Sequence, residues 1–180
     1  YYPMKSRTVL ITGGSSGIGK AIVERFAKAG DDVWFTYNRG RDRANKIIQT
    51  LSRYQVVAHQ FEQGNLASHQ HLLAKLPDKV DVLINNAGLG TKTVEEMSNV
   101  HEEQDEIMMR VNALGPLWLT QSLLPRMKEN GYGKIIFMSS VGGGITQFPG
   151  FRFSDEMSKA AIAQFGKQLA MELRYDRIDT

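Results

Sequence analysis

The sequence contains no cysteine, no long apolar run and no block of like charge. The absence of cysteine excludes disulfide bonds, thiolate metal sites and cysteine nucleophiles. No apolar segment approaches the length of a membrane span, and the N-terminus lacks the basic and then apolar layout of a signal peptide, so we expect a cytoplasmic protein with no membrane partner. The formal net charge is only +3 and the cationic residues are dispersed, so we expect no nucleic-acid partner.

The sequence also lacks repeats, linkers and low-complexity tracts. Its 180 residues, of which 42% are apolar and 23% charged, have the composition of an ordinary globular protein and are enough for one domain with a sizeable core. We therefore predict a single domain over residues 4–180. Residues 1–3, Tyr-Tyr-Pro, are interpreted as a tag or tail.

The histidines have no pattern that favours metal binding. His59, His69, His71 and His101 show neither the i, i+4 spacing of a helical metal pair nor nearby cysteines. We predict no metal site and expect these histidines at the surface or in loops.

Apolar runs alternate with amphipathic stretches along the whole chain, which is typical of βα repeats and a parallel sheet. The predicted strands are residues 7–12, 33–37, 56–61, 80–84 and 134–139. The main predicted helices are residues 17–29, with Ile18 facing inward, 103–128, with a kink at Gly115-Pro116, and 154–174. The fourth and fifth strands are nearly all apolar, which favours burial on both faces. The pattern predicts an α/β fold in which a doubly wound parallel sheet lies between two helical layers.

A glycine-rich turn, TGGSSGIG at residues 12–19, connects the first strand to the first helix. Gly13, Gly17 and Gly19 allow backbone torsions and close approaches that a Cβ would forbid. The following helix offers unpaired N–H groups and its positive dipole end to an anion. The turn is therefore a predicted phosphate cradle, which adds Ser15, Ser16 and Ile18 to the predicted cofactor contacts, although such a turn can also serve as a turn alone.

Other polar residues follow the remaining strands, at the edge where a doubly wound sheet binds ligands. Asn38 and Arg39 follow the second strand, Asn86 the fourth and Ser140 the fifth. An acidic residue after the second strand would accept the ribose 2′-hydroxyl of NAD and repel a 2′-phosphate. Because Arg39 stands there instead, we predict NADP(H) over NAD(H), with a solvated basic turn as the alternative.

Together these motifs resemble the short-chain dehydrogenase/reductase family over nearly the whole chain. The resemblance rests on TGxxxGxG at residues 12–19, Asn86-Ala87-Gly88, Asn112 on the long helix, Ser140 after the fifth strand, and Ser158-Lys159 in the last helix. It implies a three-layer Rossmann sheet with strand order 3-2-1-4-5, from which the family's further C-terminal strands are missing in this chain. It also implies a carbonyl or alcohol of small size as substrate, and a homodimer or homotetramer in which Trp118 and Phe165 suit the interface.

The resemblance also implies roles for individual residues. Ser140 would polarise the substrate carbonyl, Lys159 would bind the nicotinamide ribose, and Asn112 would complete the catalytic group. The loop Asn86-Ala87-Gly88 would lie beside the cofactor. Asn65, with Leu66 next to it, stands where the family often has an aspartate that contacts adenine, but it also suits an ordinary turn.

The sequence departs from the family at the catalytic tyrosine, since Asp155 stands four residues before Lys159. An unperturbed aspartate is already deprotonated near pH 4 and is a poor proton donor at neutral pH. Three functions therefore remain open. They are an oxidoreductase with a modified site in which Ser140 and Lys159 manage the proton, a dinucleotide-binding sensor or partner protein, and a dehydratase or isomerase that uses Asp155 as base.

Overall fold

The computed structural model describes residues 6–146 and 148–180, so the predicted tag or tail lies outside the described residues. The strands are β1 (Thr8–Ile11), β2 (Asp32–Tyr37), β3 (Val56–Gln60), β4 (Val82–Asn85), β5 (Gly133–Phe137) and β6 (Ile178–Asp179). The helices are α1 (Gly17–Lys28), α2 (Arg41–Thr50), α3 (Leu66–Leu73), α4 (Thr91–Met97), α5 (His101–Met109), α6 (Gly115–Asn130) and α7 (Phe153–Glu172). A π-helical segment, Arg110–Leu114, joins α5 to α6 and is called the π turn below.

The strands form one parallel sheet in the order β3-β2-β1-β4-β5-β6. In the centre, Leu10 pairs with Trp34 on one side and with Leu83 on the other. The predicted α/β fold with a doubly wound sheet is confirmed, including the order of its first five strands. The prediction that the sheet stops at the fifth strand is wrong, because Ile178 and Asp179 pair with β5.

Two hydrophobic cores cover the two faces of this sheet. Leu10 of β1 belongs to the core under α3, α6 and α7, whereas Val9 and Ile11 belong to the core under α1 and α2. All three side chains are fully buried, which for side chains of this size stabilises the fold by about 1.5–3 kcal/mol each relative to exposure. The alternation along β1 therefore fixes the sheet between its two helical layers.

The connection from β4 to β5 differs from the prediction in two places. The predicted polar loop contains α4, whose only buried side chain is that of Val94. The predicted long helix is divided into α5, the π turn and α6, so that the irregularity precedes Gly115 rather than falling at the Gly115-Pro116 pair. Pro116 stands at the start of α6, where a missing N–H is tolerated.

Three predictions of burial are wrong. Ile136 is 43% exposed, whereas its neighbour Ile135 is buried, so β5 is covered only on the face that carries Ile135. Ile18 is 63% exposed because it lies on the side of α1 that faces the carboxyl edge of the sheet. His69 is buried, with its ring packed edge-on against Phe61 and Trp118.

Candidate functional site

The carboxyl ends of the strands enclose a cleft of about 850 Å³, called the cleft below. Ten of the predicted cofactor contacts line it: Gly13, Ser15, Ser16, Ile18, Gly19, Asn38, Arg39, Asn86, Ala87 and Gly88. They come from the loops after β1, β2 and β4, which the sheet order places side by side. The structure therefore brings these residues together at the edge where doubly wound sheets bind ligands.

The loops after β1 and β4 are joined by side-chain hydrogen bonds. The hydroxyl oxygen of Thr12 accepts hydrogen bonds from the amides of Asn86 at 3.1 Å and Ala87 at 3.0 Å. In return, Asn86 Nδ2 donates to the carbonyl oxygens of Thr12 at 2.9 Å and Gly13 at 3.2 Å. The side chain of Asn86 thus holds the glycine-rich turn against the loop after β4.

Two glycines of this turn have backbone conformations or neighbours that exclude a side chain. Gly13 has φ +69°, and a Cβ there would lie 2.9 Å from the Cα of Ala87, so the two loops could not approach as they do. Gly17 has φ +52° and opens α1 with free space beside it. The turn therefore leaves the N-terminus of α1 uncovered, as an anion site requires.

A basic rim borders the cleft after β2. Arg39 is exposed and lines the cleft, and Arg43 Nη2 lies 3.5 Å from the carbonyl oxygen of Arg39. Arg43 is not among the contacts predicted from sequence, although its position four residues after Arg39 places it on the first turn of α2. Asp42, the acidic residue between Arg39 and Arg43 in the sequence, does not line the cleft.

Asn112 and Lys159 meet beside the loop after β4. Asn112 Oδ1 accepts from the amide of Leu89 at 2.8 Å, and its Nδ2 donates to the carbonyl of Leu89 at 2.9 Å and to Ser158 Oγ at 3.1 Å. Lys159 Nζ donates to the carbonyl oxygen of Met138 at 3.2 Å. A Cβ on Gly88 would lie 3.3 Å from Asn112 Oδ1 and 3.4 Å from Lys159 Nζ, so both polar atoms border this loop.

The environment of Lys159 changes its acidity. Burial lowers the pKa of Lys159 below its usual value of 10.5, and the nearby carboxylate of Asp155 opposes this shift only in part. A lysine with a lowered pKa exchanges protons more readily near neutral pH than an exposed one.

Asp155 and Ser140 have different surroundings. Asp155 Oδ2 accepts hydrogen bonds from the amide and the hydroxyl group of Thr91, each at 3.0 Å, and so closes the N-terminus of α4. Ser140 is exposed, and its Oγ accepts from the amide of Gly142 at 3.3 Å. Neither residue lines the cleft, although both lie on segments that flank Lys159.

The remaining predicted contacts lie outside the cleft. Asn65 is the N-cap of α3, where its Oδ1 accepts from the amide of Ala67 at 2.9 Å, and Leu66 is 54% exposed. Gly17 borders a separate shallow groove of about 420 Å³ between α1 and α2. Glu62, two residues after the end of β3, lines the cleft and is not among the contacts predicted from sequence.

A polar cluster that the sequence did not reveal fixes the start of α7. Arg152 donates to Asp105 Oδ1 from Nε at 3.0 Å and from Nη2 at 2.8 Å, and to the carbonyl of His101 at 3.0 Å. Ser154 Oγ donates to the same carboxylate oxygen of Asp105 at 2.6 Å. These bonds tie α7 to α5 and so set the position from which Asp155 and Lys159 project.

No helix within residues 6–146 and 148–180 combines the length and the apolar character that crossing a bilayer requires.

Comparison with known proteins gives consistent matches. A model of the family described as short chain dehydrogenase matches residues 7–180. The 3-oxoacyl-(acyl-carrier-protein) reductase FabG of Aquifex aeolicus is 33% identical over 178 residues, which are 94% of this chain and 69% of that protein. The NADP-dependent 3-hydroxy acid dehydrogenase YdfG of Escherichia coli is 32% identical over 168 residues, which are 92% of this chain and 66% of that protein.

A solved structure of a short-chain dehydrogenase from Streptomyces avermitilis superposes with a TM-score of 0.86 at 29% identity, covering 98% of this chain and 64% of that one. The chain thus spans about two thirds of the length of these relatives.

Proposed function

Because this chain belongs to the short-chain dehydrogenase family, we propose that it is an NADP(H)-dependent oxidoreductase that interconverts a carbonyl and an alcohol on a small-molecule substrate. The observation that carries the proposal is the convergence of the glycine-rich turn, the loop after β4 and Lys159 at one edge of the sheet. The name of the relative YdfG, which describes an NADP-dependent dehydrogenase, supports the same reading.

The residues of the cleft fit a phosphorylated dinucleotide. The open N-terminus of α1 at Ser16 and Gly17 would hold the diphosphate, and Arg39 with Arg43 would hold the 2′-phosphate through charge-assisted hydrogen bonds. Ala87 and Gly88 would lie against the nicotinamide half. When bound, the cofactor supplies or accepts the hydride.

Two side chains would handle the substrate oxygen. Ser140 Oγ would donate a hydrogen bond to the carbonyl, because its own contact with the amide of Gly142 uses only an acceptor position. Lys159, whose pKa is lowered by burial, would give or take the proton that the family's tyrosine handles. Asp155 would have a structural role, since its Oδ2 accepts hydrogen bonds from the amide and the hydroxyl group of Thr91.

The same Asp155 contact favours a second candidate, a dinucleotide-binding protein without turnover. The carboxylate of Asp155 binds the N-terminus of α4, which is a structural role unrelated to proton transfer. The chain could therefore keep dinucleotide binding without catalysing hydride and proton transfer.

Cofactor choice is tested by measuring the dissociation constants of NADPH and NADH for the wild-type protein and for Arg39→Ala. Loss of a charged hydrogen-bond donor should weaken NADPH binding by about tenfold and leave NADH binding unchanged. Arg41→Ala is the matched control, because Arg41 is also exposed but does not line the cleft. Equal affinity of the wild-type protein for both cofactors would contradict the choice of NADP(H).

Turnover is tested by following NADPH oxidation with a panel of ketones and aldehydes. The proposal expects activity in the wild-type protein and a loss of about 100-fold or more in Lys159→Met, the scale of general acid–base catalysis. Asp155→Asn keeps the shape of the α4 contact, so it should retain most activity. Tight NADPH binding without turnover would instead favour the second candidate, and restoration of activity by Asp155→Tyr would identify the missing phenol as the cause.

We further propose a homodimer or homotetramer. Trp118 and Phe165, which by the family resemblance suit the interface, are partly buried against His69 and Phe137. The outer face of α7 offers exposed apolar side chains instead, among them Met157 at 60% and Met171 at 64% exposure. Monomeric sedimentation at micromolar concentration would contradict this proposal.

A further inference from the structure

Gln63 is a buried polar residue that forms part of the lining of the cleft, directly beyond the end of β3. Its side-chain nitrogen donates to the carbonyl oxygen of Val111 at 2.7 Å and to that of Ala87 at 3.0 Å. Both hydrogens of the amide are therefore used. One is bound to the π turn and the other to the loop after β4.

The carbonyl of Val111 needs this donor because of the local sequence. In an α-helix it would accept from the amide of Gly115, but in the π turn that amide donates to Arg110. Five residues after Val111, where a π-helical donor would stand, is Pro116, which has no N–H. Gln63 thus replaces a donor that the helix itself does not supply.

The backbone around Gln63 is shaped to admit its side chain. A Cβ on Gly115 would lie 2.4 Å from Gln63 Cγ and 2.6 Å from its carbonyl oxygen, so only glycine fits at that position of α6. The carbonyl oxygen of Gln63 is held in turn by His69 Nε2 at 2.7 Å. Gln63 is consequently fixed through both its backbone and its side chain.

The short loop after β4 is bound to the π turn at both of its ends. Gln63 holds Ala87 together with Val111, and Asn112, the next residue of the π turn, holds Leu89 through its own amide. We propose that Gln63 is a positioning residue that sets the spacing between the cofactor loop at residues 87–89 and Asn112. It acts through these two carbonyls, and only its effect on cofactor affinity rests on the proposed function.

The proposal is tested with Gln63→Glu and Gln63→Met. A carboxylate at this position has no N–H and faces two carbonyl oxygens, whereas its protonated form regains one donor. Burial raises the pKa of a carboxyl group, so this change falls in an accessible pH range. Three titratable or charged residues lie next to Gln63 in the described chain. They are Glu62, which precedes it in the sequence, His69 on α3 and Arg110 on the π turn. All three are kept in every variant, and each variant is compared with the wild-type protein at the same pH.

The first measurement is amide hydrogen exchange at residues 86–90 and 110–115, which needs no cofactor. For Gln63→Glu we expect exchange about tenfold faster than in the wild-type protein at pH 8 and a clearly smaller difference at pH 5.5. Gln63→Met should show faster exchange at both pH values, and so should Gly115→Ala, which displaces Gln63. Gln70→Glu makes the same charge change at an exposed position of α3 and should leave both segments unchanged.

The second measurement is the dissociation constant of NADPH at a temperature where each variant is fully folded. We expect Gln63→Met to bind about tenfold more weakly and Gln63→Glu to bind more weakly at pH 8 than at pH 5.5. Wild-type exchange rates in Gln63→Met, or a Gln63→Glu effect independent of pH, would overturn the proposal. If the wild-type protein binds no NADPH, the proposed function fails, while the exchange data still decide the role of Gln63.

Discussion

Replacing Thr12 with valine exchanges one buried hydroxyl group for a methyl group of similar size. Thr12 is fully buried, and its Oγ1 accepts hydrogen bonds from the amides of Asn86 and Ala87. The second methyl group of valine would occupy the place of that oxygen without accepting either hydrogen bond. The substitution therefore acts on the junction between the loops after β1 and β4.

The expected cost follows from the alternatives open to the two amides. The amide of Asn86 also lies 3.0 Å from the carbonyl oxygen of Ile84 and so keeps a partner, whereas that of Ala87 loses its acceptor. The amide of Ala87 is only partly buried, so leaving it without an acceptor costs about 1–2 kcal/mol, and the weakened hydrogen bond of Asn86 adds about 0.5–1 kcal/mol. We expect Thr12→Val to lower the free energy of unfolding by about 1.5–3 kcal/mol, which for a chain of this size corresponds to about 3–12 °C in Tm.

Thr12→Ser provides the comparison that decides the cause. Serine keeps the hydroxyl group and loses one methyl group, for which we expect a cost of about 1 kcal/mol. Both variants are measured by urea unfolding, followed by circular dichroism and by the fluorescence of Trp34 and Trp118. If methyl packing rather than hydrogen bonding holds this junction, Thr12→Ser will be the more destabilised variant, and the reasoning above is refuted.

Two further predictions concern pH. Burial lowers the pKa of His69 below 6.5, so as the pH falls the unfolded chain takes up a proton before the folded one. The contribution of His69 to stability therefore declines below about pH 6.5. Urea midpoints measured between pH 7.5 and 5 should fall less steeply for His69→Gln than for the wild-type protein, and equal slopes would contradict this. The hydrogen bonds from Arg7 lower the pKa of Asp31 below 3.8, so its contribution is present above about pH 3.8 and lost as the pH falls through the lowered value. Asp31→Asn should accordingly destabilise the protein at pH 7 and have little effect at pH 2, and an effect of equal size at both would exclude the ion pair as its cause.

The parts of the site that could be predicted from sequence depend on neighbours along the chain. The glycine-rich turn lies between β1 and α1, and Asn86 follows β4, so apolar patterns that identify the strands also locate these residues. The sheet order then places both loops at one edge. Local periodicity was sufficient here because β1 and β4, the strands that precede these two loops, contribute buried side chains to both cores.

The parts that could not be predicted depend on contacts between distant residues. Gln63 binds carbonyls 24 and 48 residues away, and Asp155 closes α4 from 64 residues away. Helix α4 is short and buries only Val94, so its amphipathic pattern is too weak to separate it from a loop. His69 is enclosed by Phe61 and Trp118, which no spacing along α3 indicates.

The candidate site has two halves, each held by its own set of hydrogen bonds. The half proposed to bind the cofactor is held by Thr12, Asn86 and Gln63, whose bonds join the loops after β1 and β4 to the π turn. The half that contains Asp155 and Lys159 depends on the position of α7, which Arg152 fixes against α5. Asn112 is the residue that touches both, through Leu89 on one side and Ser158 on the other. Under the proposed function, a residue other than tyrosine at position 155 would change proton transfer without disturbing the cleft, and substitutions at Asn112 should alter binding and turnover together.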